Sequence, residues 1–375
     1  MPISALGSLD QVLVVGSFLR KEAPLIAHRL RQAAKRGAQV HMLHSVDDDW
    51  LMPIASRKIV APSEMPSAIG SFREVLRSGK NAAVLLGNFA EQHPQAGAIH
   101  AAAQELAQLT GATVGFLGEA ANSVGGYVAG LPTAPLPEVA RKKALVLLNV
   151  EPQLDLADPR AAQGAEFVVM LSPWKPALDH ADVLLPIAAF TETSGTFVNT
   201  EGRAQSFYAT VNPPGEARPG WKVLRVLGKL LGKPGVDFDR IEDIRAACLG
   251  SGDIASRLSN KIKPGSSVAA HMEGLQRIAD VPIYFADPLV RRSPPLQKTQ
   301  DARAPKARFN SRLAQKLGIG AGQPVRVNGV QLEAVLDETV ADGCVRLPAA
   351  HPSTAGAGPM FGPVTLEKVT VERAA

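Results

Sequence analysis

Cysteine is nearly missing from this chain: its 375 residues hold only Cys248 and Cys344. A disulfide framework needs several pairs, a zinc site favours CxxC-type spacing, and an iron–sulfur cluster takes about four thiolates. Two isolated thiols supply none of these, so each reads as a small buried hydrophobe. Aromatic residues are also scarce, at 5%, and no basic run is interleaved with stacking rings, which argues against nucleic acid as a partner. Long apolar runs are absent too. Val12–Gly16, Ala82–Gly87 and Ala144–Val150 fall far short of the ~18 residues that cross a bilayer, so no direct membrane insertion is expected. The N-terminus lacks the charged start and apolar core of a secretory signal, which points to the cytoplasm.

What is present describes a folded α/β protein. Hydrophobic residues make up 46% and charged residues 20%, a balance that excludes a disordered chain. The 33 glycines and 29 prolines stay below the ~25–30% of low-complexity sequence and suggest many turns. Net charge is +5, yet the cations scatter. The densest stretch, Lys298, Arg303, Lys306, Arg308 and Arg312 around Asp301, reads as a solvated linker.

Short apolar runs alternate with helical patterns through the first half. Gln11–Val15 ends in Gly16-Ser17-Phe18, and a helix is predicted from about Pro24 to Arg36, stopped by Gly37. Ala38–Leu43 reads as the next strand. A second unit runs from Ala82–Leu86 through Gly87-Asn88-Phe89 into a helix from Pro94 to about Leu109, then Thr113–Leu117. Ala144–Asn149, Glu166–Leu171 and Ala181–Leu185 continue the series. Apolar strands separated by helices imply an open, wound, mainly parallel sheet. Helical segments are expected at Pro219–Leu231, Arg240–Leu249 and Val268–Ile278, then a linker rich in proline and charge. Four β-type runs close the chain: Pro324–Val327, Gln331–Val335, Cys344–Leu347 and Val364–Val371. The expected division is 1–212 α/β domain, 213–283 helical connector, 284–312 linker and 313–375 small β-barrel.

In an open α/β sheet, ligands favour the crevice beyond the carboxyl ends of the strands, here Gly16–Lys21, Gly87–Glu91 and Asn149–Gln153. Neither a GxGxxG turn nor a GxxxxGK[ST] loop occurs, since Phe18 stands where a second glycine would be. Asp47, Asp48 and Asp49 read as solvated loop acids. His41 and His44 lie three apart on a strand and face opposite sides, and no carboxylate or thiol joins His93 and His100 at ligand spacing. One segment differs. After Ala181-Asp182-Val183-Leu184-Leu185-Pro186 comes a loop dense in hydroxyls and amides, where Gly195 and Gly202 allow close backbone approach. Thr196, Asn199 and Arg203 offer donors suited to phosphate or a heterocycle edge.

That segment resembles the signature of the molybdopterin oxidoreductase superfamily, an ADVVLP-like strand followed by a G-T-F-x-N-x-E-G-R loop. The match falls at Gly195, Thr196, Phe197, Asn199, Glu201, Gly202 and Arg203. Arg20-Lys21-Glu22-Ala23-Pro24, the Arg-rich helix after it, and Asp342-Gly343-Cys344-Val345-Arg346-Leu347-Pro348 are most similar to the large iron–sulfur subunit of bacterial respiratory NADH–quinone oxidoreductase. The resemblance implies a formate dehydrogenase-like α/β fold with a molybdopterin-binding-like barrel. It implies partners among the peripheral-arm subunits of the complex, on the cytoplasmic side of the inner membrane. Full-length members begin with cysteine-rich domains, so 4Fe-4S and 2Fe-2S clusters are expected in an N-terminal part that does not precede residue 1 here. The chain then reads as a scaffold within an oxidoreductase complex, not catalytic by itself and without a metal site. Gly195, Thr196, Asn199, Glu201, Gly202 and Arg203 would form a vestigial pterin-site loop. The alternative is the pterin-binding half of a true molybdoenzyme, of formate dehydrogenase or nitrate reductase type, with molybdopterin as cofactor.

Overall fold

A computed structural model describes residues 1–131, 133–175, 181–262 and 272–369. Contacts divide the chain into two units, Met1–Glu119 with Ser259–Ala375, and Ala120–Leu258.

The first unit contains five parallel strands: β1 (Gln11–Val15), β2 (Gln39–His44), β3 (Ser56–Ile59), β4 (Ala82–Leu86) and β5 (Thr113–Phe116), in the order β3-β2-β1-β4-β5. The apolar runs are continuous because both faces are covered. Val12, Val14, Val40 and Met42 pack with Ala27 and Leu30 of the helix Pro24–Lys35. Leu13, Val15, Val84 and Leu86 pack with Ile99, Ala103 and Leu106 of the helix Ala96–Thr110 on the other side. Strand order reverses at β1 and β4, so right-handed crossovers place those two helices on opposite faces. Thr110 is followed by Gly111 at φ 79°, the left-handed stop that glycine adopts freely.

The second sheet of this unit has seven strands: β11 (Gln276–Ile278), β12 (Ala307–Phe309), β13 (Pro324–Val327), β14 (Val330–Leu336), β15 (Cys344–Arg346), β16 (Gly362–Pro363) and β17 (Leu366–Lys368). Their order is β16-β11-β15-β12-β14-β13-β17. The outermost strands, β16 and β17, are joined only by Val364 and Thr365. A three-residue step spans at most ~10 Å, so the sheet must curl until its edges nearly meet. Hydrogen bonds from Val364 N to Leu275 O and from Asn328 N to Thr365 O fasten that seam. The expected C-terminal β-structure is therefore present, and it recruits strands from further upstream. Gln276–Ile278, read from sequence as the end of a helix, pairs with Cys344–Arg346 because its three residues fill a buried position between β15 and β16. Of the rest of that predicted helix, 272–275 are not helical and 268–271 lie outside the described residues, as do 370–371 of the last run. Ala307–Phe309 falls in the stretch read as linker, yet Phe309 is fully buried in the barrel core.

The unit Ala120–Leu258 holds the parallel strands β6 (Ala144–Leu148), β7 (Phe167–Ser172) and β8 (Val183–Pro186), and the antiparallel hairpin β9 (Gly195–Val198) with β10 (Ala204–Phe207). Helices Gly220–Leu230 and Ile241–Leu249 follow. The order β6-β7-β8 runs in one direction. Leu147, Val168 and Met170 are buried on one face with Ala162; on the other, Val146, Leu148 and Phe167 are about half exposed and Leu171 is buried.

One buried charge organises the barrel loop. Arg277 on β11 is 1% exposed, and its guanidinium donates to the carbonyls of Leu347, Pro348, Ala357, Gly358 and Pro359 at 2.6–3.2 Å. Burial pulls its pKa down to about 10, which leaves it charged at neutral pH. A methionine here fills similar volume but strands those carbonyls. Arg277→Met should lower stability by ~3–5 kcal/mol in urea titration, with Arg277→Lys intermediate because one ammonium cannot span the same fork.

Candidate functional site

The carboxyl ends of β1, β2, β4 and β5 open into a cleft of ≈ 1240 Å³, walled on its far side by the curled sheet of the same unit. Two glycines set its floor. Gly16 ends β1 at φ 58°, and a Cβ on Gly87, which ends β4, would fall 2.3 Å from the Cβ of Ser17. The two loops are thus in backbone contact where the strand order reverses, the usual ligand position in such sheets. The repeated Gly-Ser-Phe and Gly-Asn-Phe triplets acquire a common purpose: Phe18 and Phe89 meet edge-on at 6.2 Å, with His44 packed against both at 4.5 and 4.8 Å. His41 points elsewhere and bonds Ser56 and Gln11. His100 bonds the Asn260 carbonyl, while His93 packs on Phe361.

Arg346, from the end of β15, crosses the cleft. Its guanidinium donates to Asp48 at 3.0 and 3.4 Å, lies 3.6 Å from Asp280, and sits 4.9 Å above the Phe18 ring. Burial opposes its charge, but Asp280 and Asp48 outweigh that and hold its pKa above the ordinary value. Asp48 is therefore not a merely solvated loop acid, because it pairs with the largely desolvated Arg346; Asp47 likewise pairs with Arg57 at 3.0 Å. The basic stretch read as a solvated linker is also tied down. Lys306, Arg308 and Arg312 pair with Glu333, Asp337 and Asp342. Of the two cysteines, Cys344 is buried, its thiol pushed up to about 12 by burial first. Cys248 is exposed, against expectation, because the helix Ile241–Leu249 buries no residue fully.

Carboxylates gather along the sheet edge. Burial raises the pKa of Glu22, which accepts a 2.8 Å hydrogen bond from Ser17 Oγ. Burial, with the neighbouring Glu119 and Glu22 charges, pushes Glu91 up to about 7. Burial also takes His44 and His93 down to about 4, so both are neutral at physiological pH. Sequence reasoning missed Glu91, Asp280 and Arg346 as a set. They come from three distant segments, and only folding brings them to one edge.

The residues singled out by sequence form one hairpin in the other unit. Gly195 approaches the Phe207 ring so closely that a Cβ would lie 2.6 Å from it, and Thr196 Oγ1 is 3.0 Å from Ser206 Oγ across the strands. Asn199 Oδ1 accepts from the backbone N–H groups of Glu201 and Arg203, and its amide donates to Glu201. Gly202, at φ 81°, abuts Ala255, and the backbone N–H of Val198 donates to Asn122. All six lie in this hairpin, where Asn199 directs its polar atoms into the turn and Thr196 meets Ser206 across the strands. Arg203 is exposed, and among the described residues nothing pairs its guanidinium.

The sequence model of a family described as molybdopterin oxidoreductase matches residues 1–230. The chain is 28% identical over 325 residues to the mitochondrial NADH-ubiquinone oxidoreductase 78 kDa subunit of Neurospora crassa, covering 80% of this chain and 43% of that protein. The corresponding Candida albicans protein is 28% identical over 322 residues, covering 79% and 43%. The NADH-ubiquinone oxidoreductase 75 kDa subunit of Reclinomonas americana is 45% identical over 64 residues, which is 17% of this chain and 9% of that one. The chain thus spans less than half the length of these relatives. Among solved structures, acetylene hydratase from Pelobacter acetylenicus superposes with a TM-score of 0.66 at 14% identity, covering 96% of this chain and 78% of that one, a likeness of fold.

Glu91 offers a titration test. Its folded pKa lies above its unfolded value, so its neutral form favours folding and that contribution is lost as pH rises from about 4.5 through 7. His44 and His93 act oppositely, losing stability as pH falls from 6.5 toward 4. Glu91→Gln cannot ionise. Its stability relative to the parent should rise by ~2–3 kcal/mol between pH 5 and pH 8 in urea titrations; a constant difference across that range would contradict the assignment.

Proposed function

The chain belongs to the molybdopterin oxidoreductase family, and from that premise we propose that it is a scaffold part of the large subunit of respiratory NADH–quinone oxidoreductase. In this reading it carries no redox centre, supports electron transfer from NADH to quinone carried out by neighbouring domains, and takes the other peripheral-arm subunits as partners. It sits on the cytoplasmic side of the membrane. The relatives named for that complex align with four-fifths of the chain. Among the described residues no helix is long and apolar enough to cross a bilayer.

The observation that carries the reading is the commitment of donors. A pterin dinucleotide is a polyanion and needs cations and amides free to meet its phosphates. In the sheet-edge cleft Lys21, Lys306, Arg308 and Arg346 already face Asp301, Glu333, Asp337, and Asp48 with Asp280; Arg20 and Arg303 line it without an ion pair among the described residues, but eight carboxylates line the cleft against six cations. Glu22 and Glu119 line the same cleft. In the hairpin Asn199 is engaged within the turn and Thr196 with Ser206 across the strands. These residues do not fit the dinucleotide, and no chemical step is derived through it. Among the described residues no three His, Cys, Asp or Glu side chains form a metal-holding group. We keep the hairpin residues Gly195, Thr196, Asn199, Glu201, Gly202 and Arg203 as a vestigial site.

One observation favours the pterin-binding alternative: the exposed, unpaired guanidinium of Arg203. The protein purified from a molybdenum-replete host and then denatured should release no pterin fluorescence and contain neither iron nor molybdenum. A stoichiometric pterin signal that disappears in Arg203→Ala would overturn the scaffold reading.

A further inference from the structure

The helix Pro24–Lys35 divides its side chains by sign as well as by polarity. Ala27, Leu30 and Ala33 are buried against the sheet. At 100° per residue the opposite face presents Leu25, His28, Arg29, Arg31 and Lys35, with Arg36 just beyond the last turn. From Pro24 to Arg36 there is no acidic residue. Arg31 and Lys35 stand four apart, a like-charge spacing that weakens a helix by ~0.2–0.5 kcal/mol.

Some surface cations elsewhere meet acids, as in Arg77 with Glu74 and Lys142 with Glu138, and others among the described residues, such as Arg203, do not; here four cations share one short helix with no acid between them. Among the described residues none of Arg29, Arg31, Lys35 and Arg36 forms an ion pair; Arg36 donates only to the Gly7 carbonyl, at 2.9 Å. Cations at the last turn suit the helix dipole, which accounts for Lys35 and Arg36 but not for Arg29 and Arg31. At the N-terminal end of this face Leu25 is 78% exposed, one turn before His28 and Arg29. A lone aliphatic anchor beside guanidinium groups has the composition of an interface centre, where arginine is enriched.

We propose that this helix face docks an acidic surface of a partner polypeptide, seating Leu25 in an apolar notch rimmed by carboxylates. Charge complementarity selects the sign of the partner. A bilayer fits poorly, since an interfacial helix inserts an apolar face and this one has buried its own against the sheet. Nucleic acid fits poorly as well, because the face offers no ring for stacking.

The test uses the chain in its native assembly. Carbodiimide, which joins an amine directly to a carboxylate, should link Lys35 to an Asp or Glu of another polypeptide. The variant R29E/R31E, confined to exposed positions before the last turn, should retain the parent melting temperature and recover that polypeptide at least about tenfold less at physiological salt. Leu25→Asp should weaken recovery similarly. Recovery unchanged by the reversal, or Lys35 linked only within its own chain, would overturn the proposal. So would reversal-sensitive binding of the parent to phosphatidylglycerol vesicles or duplex DNA at the same salt. The outcome is separable from the scaffold reading: a linked partner outside the respiratory complex would defeat that reading and keep this one. Normal assembly of the reversed variant would do the opposite.

Discussion

A largely desolvated cation between two sheets ties the larger unit together. Arg346 is carried by the curled sheet, Asp48 by the loop after β2, and Phe18 by the loop after β1. Removing water from a guanidinium is unfavourable unless carboxylates and a ring face replace it, so these three elements must arrive in one geometry. Backbone pairing beside the ion pair enforces the same alignment: Asp47 N donates to Thr339 O, and Ala341 N to Ser45 O. The cores then merge, since Ile278, Val340, Cys344 and Phe361 pack in one cluster with Leu43, Leu86 and Phe89. The two sheets are therefore one folding unit although more than a hundred residues of chain intervene.

That arrangement explains which features the sequence disclosed. β1, β4 and β13 were legible to the residue, because an apolar run bounded by turn residues is a local signal. β11, β12 and β16 are two or three residues long and gain their hydrogen bonds only from strands far along the chain. No local pattern distinguishes Gln276-Arg277-Ile278 from a helix end. Asp47, Asp48 and Asp49 look alike in sequence, and only the arrival of Arg346 singles out the middle one. The hairpin residues were legible as a group because they are contiguous, whereas their mutual hydrogen bonds depend on the turn closing.

The unit Ala120–Leu258 follows the same rules with less to bury. Its three parallel strands advance in one direction, and Ala162 of the β6–β7 connection packs on one face. Its fully buried cluster consists of Leu147, Ala162, Val168 and Met170. A parallel sheet normally needs cover on both sides, so the half-exposed Val146, Leu148 and Phe167 mark a face that is only partly covered.

Electrostatics at the sheet edge points the same way as packing. The carboxyl ends of parallel strands are where loop N–H groups and helix starts favour anions, which is why such crevices hold phosphates in many folds. Here the same edge carries Glu22, Glu91 and Glu119. Burial is the first cause of the raised pKa at Glu22 and Glu91, and mutual repulsion adds to it. Repulsion that discourages one carboxylate from ionising discourages any other anion nearby, a phosphate included. The cation best placed to reverse that field, Arg346, is balanced by Asp48 and Asp280. A fold suited to anions thus presents, at the place where they would bind, side chains that oppose them. That opposition resides in individual residues rather than in the sheet, so the architecture can be retained while what it binds changes.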